Sequence, residues 1–365
     1  MTWFAPDALF DGAALRAEAM VEITHGVITQ IATRQGDAAA IKGTLSAGFV
    51  DLQVNGGGGV MVNTTPATDG LRQIAQAHHA LGTVAILPTV ITDHPDVLDA
   101  AADAVIAVKD AAILGLHIEG PHIAVTRRGT HAADFIRHLD QRTLDAVKRI
   151  RAHGLAVMIT IAPEAATPDQ IRALTAMGAC VSLGHTDATA DQIHTAIAAG
   201  ARCGTHLFNA MSQMTGRAAG TVGALINSHC HIGIICDGHH VGDDMIALAI
   251  RARPAPDLMF LVSDAMATVG GPDTFDLYGQ TITLKDGKLV NADENLAGAH
   301  VSQAMGVKRL VNHVGITLEA ALRMAITTPA VCIGRPDLAN LVGRSVLDVI
   351  VLDNTFDASP LSQIV

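Results

Sequence analysis

The chain has 365 residues, which fits one large domain with a small companion, and 49% of them are hydrophobic, enough for a sizeable core. No apolar run approaches the ~18 residues of a membrane span, and the N-terminal MTWFAPDALF lacks the basic and long apolar regions of a secretory signal, so a soluble, cytoplasmic protein is expected. A net charge of -11 and only 3% aromatic residues argue against nucleic acid, acidic membranes and base-stacking surfaces as partners.

Short strand-like pieces, including MVEITHGVITQIA, occupy residues 1–47 and are separated by Gly and polar turns. Eight short apolar, β-branched runs follow, most of them ending near a polar or charged residue: 48–55, 83–90, 113–120, 155–164, 179–186, 201–208, 231–238 and 258–265. Between them lie Ala-rich helical patterns such as ATDGLRQIAQAHHALG, QRTLDAVKRIRAHG, PDQIRALTAMG, ATADQIHTAIAAG and DDMIALAIRAR, several with an acidic first turn and a Gly near the end. Eight strand-then-helix units in this length favour a closed (β/α)8 TIM barrel, spanning 48–335, over an open doubly wound sheet. TFDLYGQTITLKDGKLV then reads as a hairpin turning at Asp-Gly. The tail, 336–365, carries SVLDVIVLD, and both chain ends are expected to pair into one small, sandwich-like β-domain beside the barrel.

The five cysteines, 180, 203, 230, 236 and 332, are odd in number and show no CxxC pair, so reduced, structural thiols are expected.

In a barrel of this kind the C-terminal strand ends meet at one rim, where catalytic groups gather. Glu119, His185 and His206 end the third, fifth and sixth expected strands, and one carboxylate with two imidazoles is a common ligand set for catalytic zinc. Asp264 ends the eighth, where a carboxylate can serve as a base, a reading that its place at the same rim favours over a helix N-cap. His117, two residues before Glu119, faces the same side one layer deeper, so a packed core role is expected. His78 and His79, on a helix, read as packed or solvated.

The motifs GFVDLQVNGGGG, GLHIEGPH, RRGTH, SLGHT, GTHLFNAM, MTGR, CDGHHV, VSDA and NLAGAH, in this order and spacing, resemble the N-acetylglucosamine-6-phosphate deacetylases of the amidohydrolase superfamily, over most of residues 48–330. The resemblance implies removal of acetate from N-acetyl-D-glucosamine 6-phosphate, with Glu119, His185 and His206 as ligands of a divalent metal and Asp264 as catalytic acid/base. It implies that His131 polarises the amide carbonyl, that Thr130 touches the sugar, and that Asn209, Ala210, His240 and Arg217 meet the phosphate. Arg217 would do so in the neighbouring subunit of a homodimer; from the residues alone it reads as an exposed loop charge. Asp237, Gly238, His239, His240, Leu296, Ala297 and Gly298 would line the substrate and its acetyl methyl group. The implied mechanism has water on the metal attacking the amide while Asp264 moves the proton.

Two positions depart from common patterns. Gln53 and Asn55 stand where many amidohydrolases carry His-x-His, and neutral amides bind transition metals poorly, so one metal per subunit is expected, zinc first, with Fe2+, Mn2+ or Co2+ as alternatives. His122 stands where the family often has a large aromatic, a change expected at the pocket wall. N-acetylgalactosamine-6-phosphate deacetylation and a catalytically silent sugar-phosphate-binding barrel are the alternatives.

Overall fold

The computed structural model describes residues 2–292, 294 and 296–365; Asn295, the first residue of NLAGAH, lies outside the described residues. All eight expected barrel strands are present: Phe49–Val54, Thr83–Ile91, Gly115–Glu119, Ala156–Ile161, Cys180–Leu183, Cys203–Gly204, His231–Ile234 and Met259–Leu261. They pair in chain order as one parallel sheet, numbered here as barrel strands 1 to 8. Nearly every position in them is buried, and Val, Ile and Leu are the commonest residues, as strands covered on both faces require.

The ring closes just beyond the last strand. The Asp264 N–H donates to Gln53 O at 3.0 Å, and the Asn55 N–H donates to Ala265 O at 2.9 Å. One turn below, the buried Asp51 carboxylate accepts from the Ser263 N–H at 3.2 Å. Closure therefore presses Gln53, Asn55 and Asp264 together at the rim.

The expected helical patterns form Thr68–His79, Gln141–Ala152, Pro168–Ala176, Ala190–Ala198 and Asp243–Arg251. Local chemistry fixes where three of them start. Asp140 caps the second by accepting from the Thr143 N–H, and full capping boxes, Thr167 with Gln170 and Thr189 with Gln192, open the next two. A further helix, Pro95–Ala107, begins with Pro in its first turn.

Both chain ends do enter one mixed sheet. Val349–Leu352 runs antiparallel to Ala39–Ala47, which in turn runs parallel to Thr2–Phe10. The expected hairpin is a three-stranded sheet, Thr274–Leu277, Gln280–Lys285 and Lys288–Val290. Asp286 and Gly287 make one left-handed turn as expected, while Tyr278 and Gly279 make a second. Phe275, Leu277, Ile282 and Leu289 pack this sheet onto Met61, Ile91 and Met266 at the barrel rim.

One layer below the rim, inward-facing polar side chains of strands 3 to 6 satisfy one another. His117 Nδ1–H donates to Leu52 O (2.9 Å), so its Nε2 must accept from the Thr160 hydroxyl (2.8 Å). Thr160 then accepts from Thr205 (2.7 Å), and Thr205 from Ser182 (2.6 Å). Burial lowers the pKa of His117, keeping it neutral in this chain of bonds. The packed role expected for His117 is the one it has. His78 is likewise buried, on Gly56 O at 3.0 Å, and His79 is more exposed, on Leu347 O.

Candidate active site

Above that layer the polar groups converge without satisfying one another. Glu119 is the last residue of strand 3, whereas His185, His206 and Asp264 lie two or three residues past the ends of strands 5, 6 and 8. All three are in the left-handed region, with φ of 49°, 24° and 51°, a conformation that costs a non-glycine residue about 1–3 kcal/mol and gathers at functional sites. After Glu119 the backbone turns away at Gly120, φ 76°, where a Cβ would sit 2.2 Å from Thr92 Oγ1. Only glycine fits there.

Glu119 Oε1 lies 3.2 Å from His185 Nε2 and 3.0 Å from His206 Nε2, and the two nitrogens are 3.1 Å apart. Ligands about 2.1 Å from one ion are roughly 3.0 Å apart at a right angle and roughly 3.4 Å apart at a tetrahedral one, so this spacing suits a divalent cation. Protonation gives the same answer. His185 Nδ1–H donates to Arg127 O at 2.8 Å, which leaves the neutral ring a lone pair on Nε2, directed at a carboxylate oxygen. Two acceptors face each other there, and a cation between them would resolve the conflict. Burial alone would raise the pKa of Glu119; protons on the two imidazole Nε2 atoms, taking the place of a cation, would supply hydrogen bonds and charge that outweigh it and hold the carboxyl well below its ordinary range.

Gln53 and Asn55 face the carboxylates with their amide nitrogens. Gln53 Nε2 donates to Glu119 Oε1 (2.9 Å) and Asp264 Oδ1 (3.1 Å), and Asn55 Nδ2 donates to the same Asp264 oxygen at 2.7 Å. These donors bridge the space between the two carboxylates. Burial, with Glu119 nearby, pushes the Asp264 carboxyl up to about 6, close to what a proton-transfer group needs near neutral pH.

His131 packs against His185, ring centroids 4.4 Å apart, and could be mistaken for a fourth ligand. The Thr92 N–H donates to its Nδ1 at 3.3 Å and the Thr92 hydroxyl sits 2.7 Å from the same atom, so in the neutral ring the proton is on Nε2. Burial lowers its pKa to about 3, and it remains a neutral donor.

A cavity of ≈ 190 Å³ collects Glu119, His185, His206, Asp264, Asn55 and His131 with Thr130, Asn209, Ala210, His240, Leu296 and Gly298. His240 Nδ1–H donates to Asp237 Oδ2 at 2.6 Å, leaving Nε2 free to turn toward the cavity, while Asp237, held down at about 2 despite burial by its bonds to His240 and His239, orients the ring from behind. Four other expected residues do not line it in the single chain. Arg217 lies in the exposed loop 213–219, Gly238 packs on the Arg309 guanidinium, His239 is exposed beside Gly287, and Ala297 is buried under the three-stranded sheet.

His122 corrects an expectation. It is fully buried away from the cavity, with Nδ1 on Arg137 O (3.1 Å) and Nε2 on Thr143 Oγ1 (2.9 Å), so it forms no pocket wall. Residues that sequence reasoning missed include Thr92, which fixes the His131 tautomer, and Arg127, which acts through its carbonyl alone. Thr92 follows the end of strand 2, so the strand-end rule could have found it; a backbone carbonyl leaves no sequence signal. Tyr278, whose hydroxyl donates to Thr92 O, is the chain's single tyrosine and was also missed.

Comparison with known proteins agrees with this geometry. The amidohydrolase family profile matches residues 44–342. An N-acetylgalactosamine-6-phosphate deacetylase of Shewanella sp. (strain ANA-3) is 39% identical over 349 residues, covering 92% of this chain and 87% of the relative. An N-acetylglucosamine-6-phosphate deacetylase of Haemophilus influenzae is 33% identical over 329 residues, covering 87% and 84%. Among solved structures, the N-acetylglucosamine-6-phosphate deacetylase of Pasteurella multocida superposes with a TM-score of 0.89 at 32% identity, covering 98% of this chain and 96% of its own. A mutant of the Mycobacterium smegmatis enzyme, solved with N-acetyl-D-glucosamine-6-phosphate, gives 0.88 at 28% identity, covering 98% and 96%. Family profile, identity and superposition together make this chain a member of the amidohydrolase family, a hydrolase acting on an amide and closely related to the N-acetylglucosamine- and N-acetylgalactosamine-6-phosphate deacetylases.

Proposed function

We propose that this chain is a cytoplasmic, metal-dependent deacetylase that converts N-acetyl-D-glucosamine 6-phosphate to D-glucosamine 6-phosphate and acetate. The observation that carries the reading is the juxtaposition of three convergent ligand atoms, on Glu119, His185 and His206, with a separate carboxylate, Asp264, held on the donors of Gln53 and Asn55. A sugar-phosphate binder has no need of that second carboxylate.

One divalent ion per subunit, zinc first, would sit on Glu119, His185 and His206, where it lowers the pKa of a water toward ~7 and polarises a carbonyl. Asp264 takes the proton of the attacking water and delivers it to the departing amine, so that the sugar leaves as a neutral amine and not as an amide anion. His131 donates its Nε2–H to the carbonyl oxygen as negative charge builds there. Thr130, Leu296 and Gly298 shape the space for the sugar and the acetyl methyl, with Ala297, Gly238 and His239 supporting the walls from behind. Asn209, the Ala210 backbone and His240 take the phosphate. In a homodimer, Arg217 of the neighbouring subunit completes that set, because an anion approaching a chain of net charge -11 needs dedicated cationic contacts.

The galacto epimer is the second reading, favoured by the 39% identity to the Shewanella deacetylase against 33% to the Haemophilus one. Acetate release from both N-acetylhexosamine 6-phosphates and their unphosphorylated forms tests the proposal. The gluco 6-phosphate should have the highest kcat/KM. A higher value for the galacto epimer would move the assignment to the second reading, and binding without acetate release would remove both.

A further inference from the structure

The opposite end of the barrel holds a second cluster of reactive groups that deacetylation does not use. A cavity of ≈ 380 Å³ opens beside the N-terminal ends of strands 3 to 6, lined by Leu114, Ala156, Cys180 and the guanidinium-bearing Arg151, Arg202 and Arg335. Behind Cys180 lie two more thiols from different elements, Cys203 on strand 6 and Cys332 at the end of the helix Thr328–Cys332. Cys180 and Cys332 have their sulfurs 3.9 Å apart, Cys332 and Cys203 4.0 Å, and all three lie within 4.8 Å of one another.

The three thiols are not equivalent. Of the three, Cys180 alone lines the cavity, which it shares with the Arg202 side chain. The neighbouring Cys203 and Cys332 sulfurs, then the Arg202 charge, outweigh burial and lower the Cys180 pKa well below that of an ordinary thiol. Burial and the neighbouring Cys180 raise that of Cys203, and hydrogen bonding to Cys180 and Cys203, with burial, raises that of Cys332. Cys180 is thus the thiol that meets the cavity, with the Cys332 sulfur 3.9 Å behind it. Arg335 is already paired with Asp337 and Arg151 with backbone carbonyls, so their positive charge surrounds the entrance without occupying the sulfur.

We propose that this basal cavity is an oxidation site, at which Cys180 reacts with a hydroperoxide and Cys332 resolves the product to a disulfide. The Cys180 thiolate attacks one peroxide oxygen, the O–O bond breaks, and the other oxygen leaves as hydroxide that is protonated to water. Sulfur is oxidised by two electrons to sulfenic acid, and the peroxide is reduced. The Cys332 sulfur then attacks Cys180, its proton goes to the departing oxygen, and a second water leaves as the S–S bond forms. Two thiols and one hydrogen peroxide give one disulfide and two waters. A soft cation on the three sulfurs is the competing occupant, and three guanidiniums around the entrance oppose its approach.

The test is timed treatment of the intact, metal-loaded protein with hydrogen peroxide, followed by non-reducing peptide mapping and capture of sulfenic acid with dimedone. Wild-type protein should lose Cys180 and Cys332 together, at a rate about tenfold or more above Cys230, a buried thiol outside this cluster and cavity. Dithiothreitol should restore both. Cys332→Ala should stop at a dimedone adduct on Cys180, and Cys180→Ser should leave Cys332 unoxidised. Oxidation of Cys180 no faster than Cys230, or thiols protected until a chelator strips a sulfur-bound metal, would overturn the proposal. Mapping of the wild-type chain decides this even if a variant fails to fold, and none of these readouts depends on acetate release.

Discussion

His117 and Glu119 stand two residues apart on one strand, facing the same interior, yet their layers obey different rules. In the lower layer every donor meets an acceptor: Leu52 O, His117, Thr160, Thr205 and Ser182 form one directed chain of hydrogen bonds. At the rim, a lone pair of His185 faces a carboxylate oxygen, Asn55 Oδ1 and His206 Nδ1 are buried with no protein partner, and three residues hold left-handed backbone. A buried histidine with both nitrogens satisfied, such as His117 or His122, is structure. A buried histidine that turns a nitrogen toward both a carboxylate and a second imidazole, as His185 and His206 do, is a candidate ligand. The difference lies in the second partner, not in burial, which the two layers share.

If the rim is the reactive layer, its proton carrier should be the most damaging residue to neutralise. Asp264→Asn should lower kcat by at least ~10²–10⁴-fold with metal content unchanged, measured by acetate release and elemental analysis. Near-normal turnover would return Asp264 to the status of a cap. Arg217→Ala should raise KM for the 6-phosphate roughly 10–100-fold, as loss of a charge-assisted contact implies, and barely affect the unphosphorylated sugar. Equal effects on both would leave Arg217 as a loop charge.

The pH profile sharpens the same contrast. Asp264 acts as a base only when ionised, so kcat/KM should fall as pH drops through about 6, or lower where a nearby cation stabilises the carboxylate. The satisfied histidines act on stability instead. Burial depresses His122 from its ordinary 6.5 to about 4, so the unfolded chain takes up that proton first. Its stabilising contribution is therefore full above about pH 6.5 and is lost as pH falls toward 4, which acid melts of wild type and His122→Gln would separate. Smallest in its effect on turnover, His117→Ala should leave the metal in place and kcat within a few-fold, while destabilising the fold by about 1–3 kcal/mol as Leu52 O and Thr160 lose their partner.

Much of the barrel was legible because parallel strands buried on both faces read as continuous apolar runs, and the helices between them carry their own caps. The strand ends were less so. Runs such as ACVSLGHT and ARCGTHLF continue to look extended, whereas the pairing stops at Leu183 and Gly204 and the histidines follow in left-handed backbone that non-glycine residues seldom adopt. Gln53 and Asn55 could be read as poor metal ligands, but not as donors to both carboxylates, since that depends on how the ring closes. His122 misled because it stands where the family often has a large aromatic, which suggested the pocket wall, while the turn at Gly120 carries the chain past it. The turn at Tyr278 was hidden by a residue that seldom adopts positive φ.

The central claim is that the rim holds one metal, on Glu119, His185 and His206, with amide donors where a second ion would need ligands. Elemental analysis after extensive dialysis tests it most directly. The account predicts about one equivalent per chain in wild type and Asp264→Asn, full activity on adding one equivalent to apo-enzyme, and loss of the metal in His185→Asn or His206→Asn. Two equivalents that are both required for turnover, or one equivalent retained without those histidines, would contradict it.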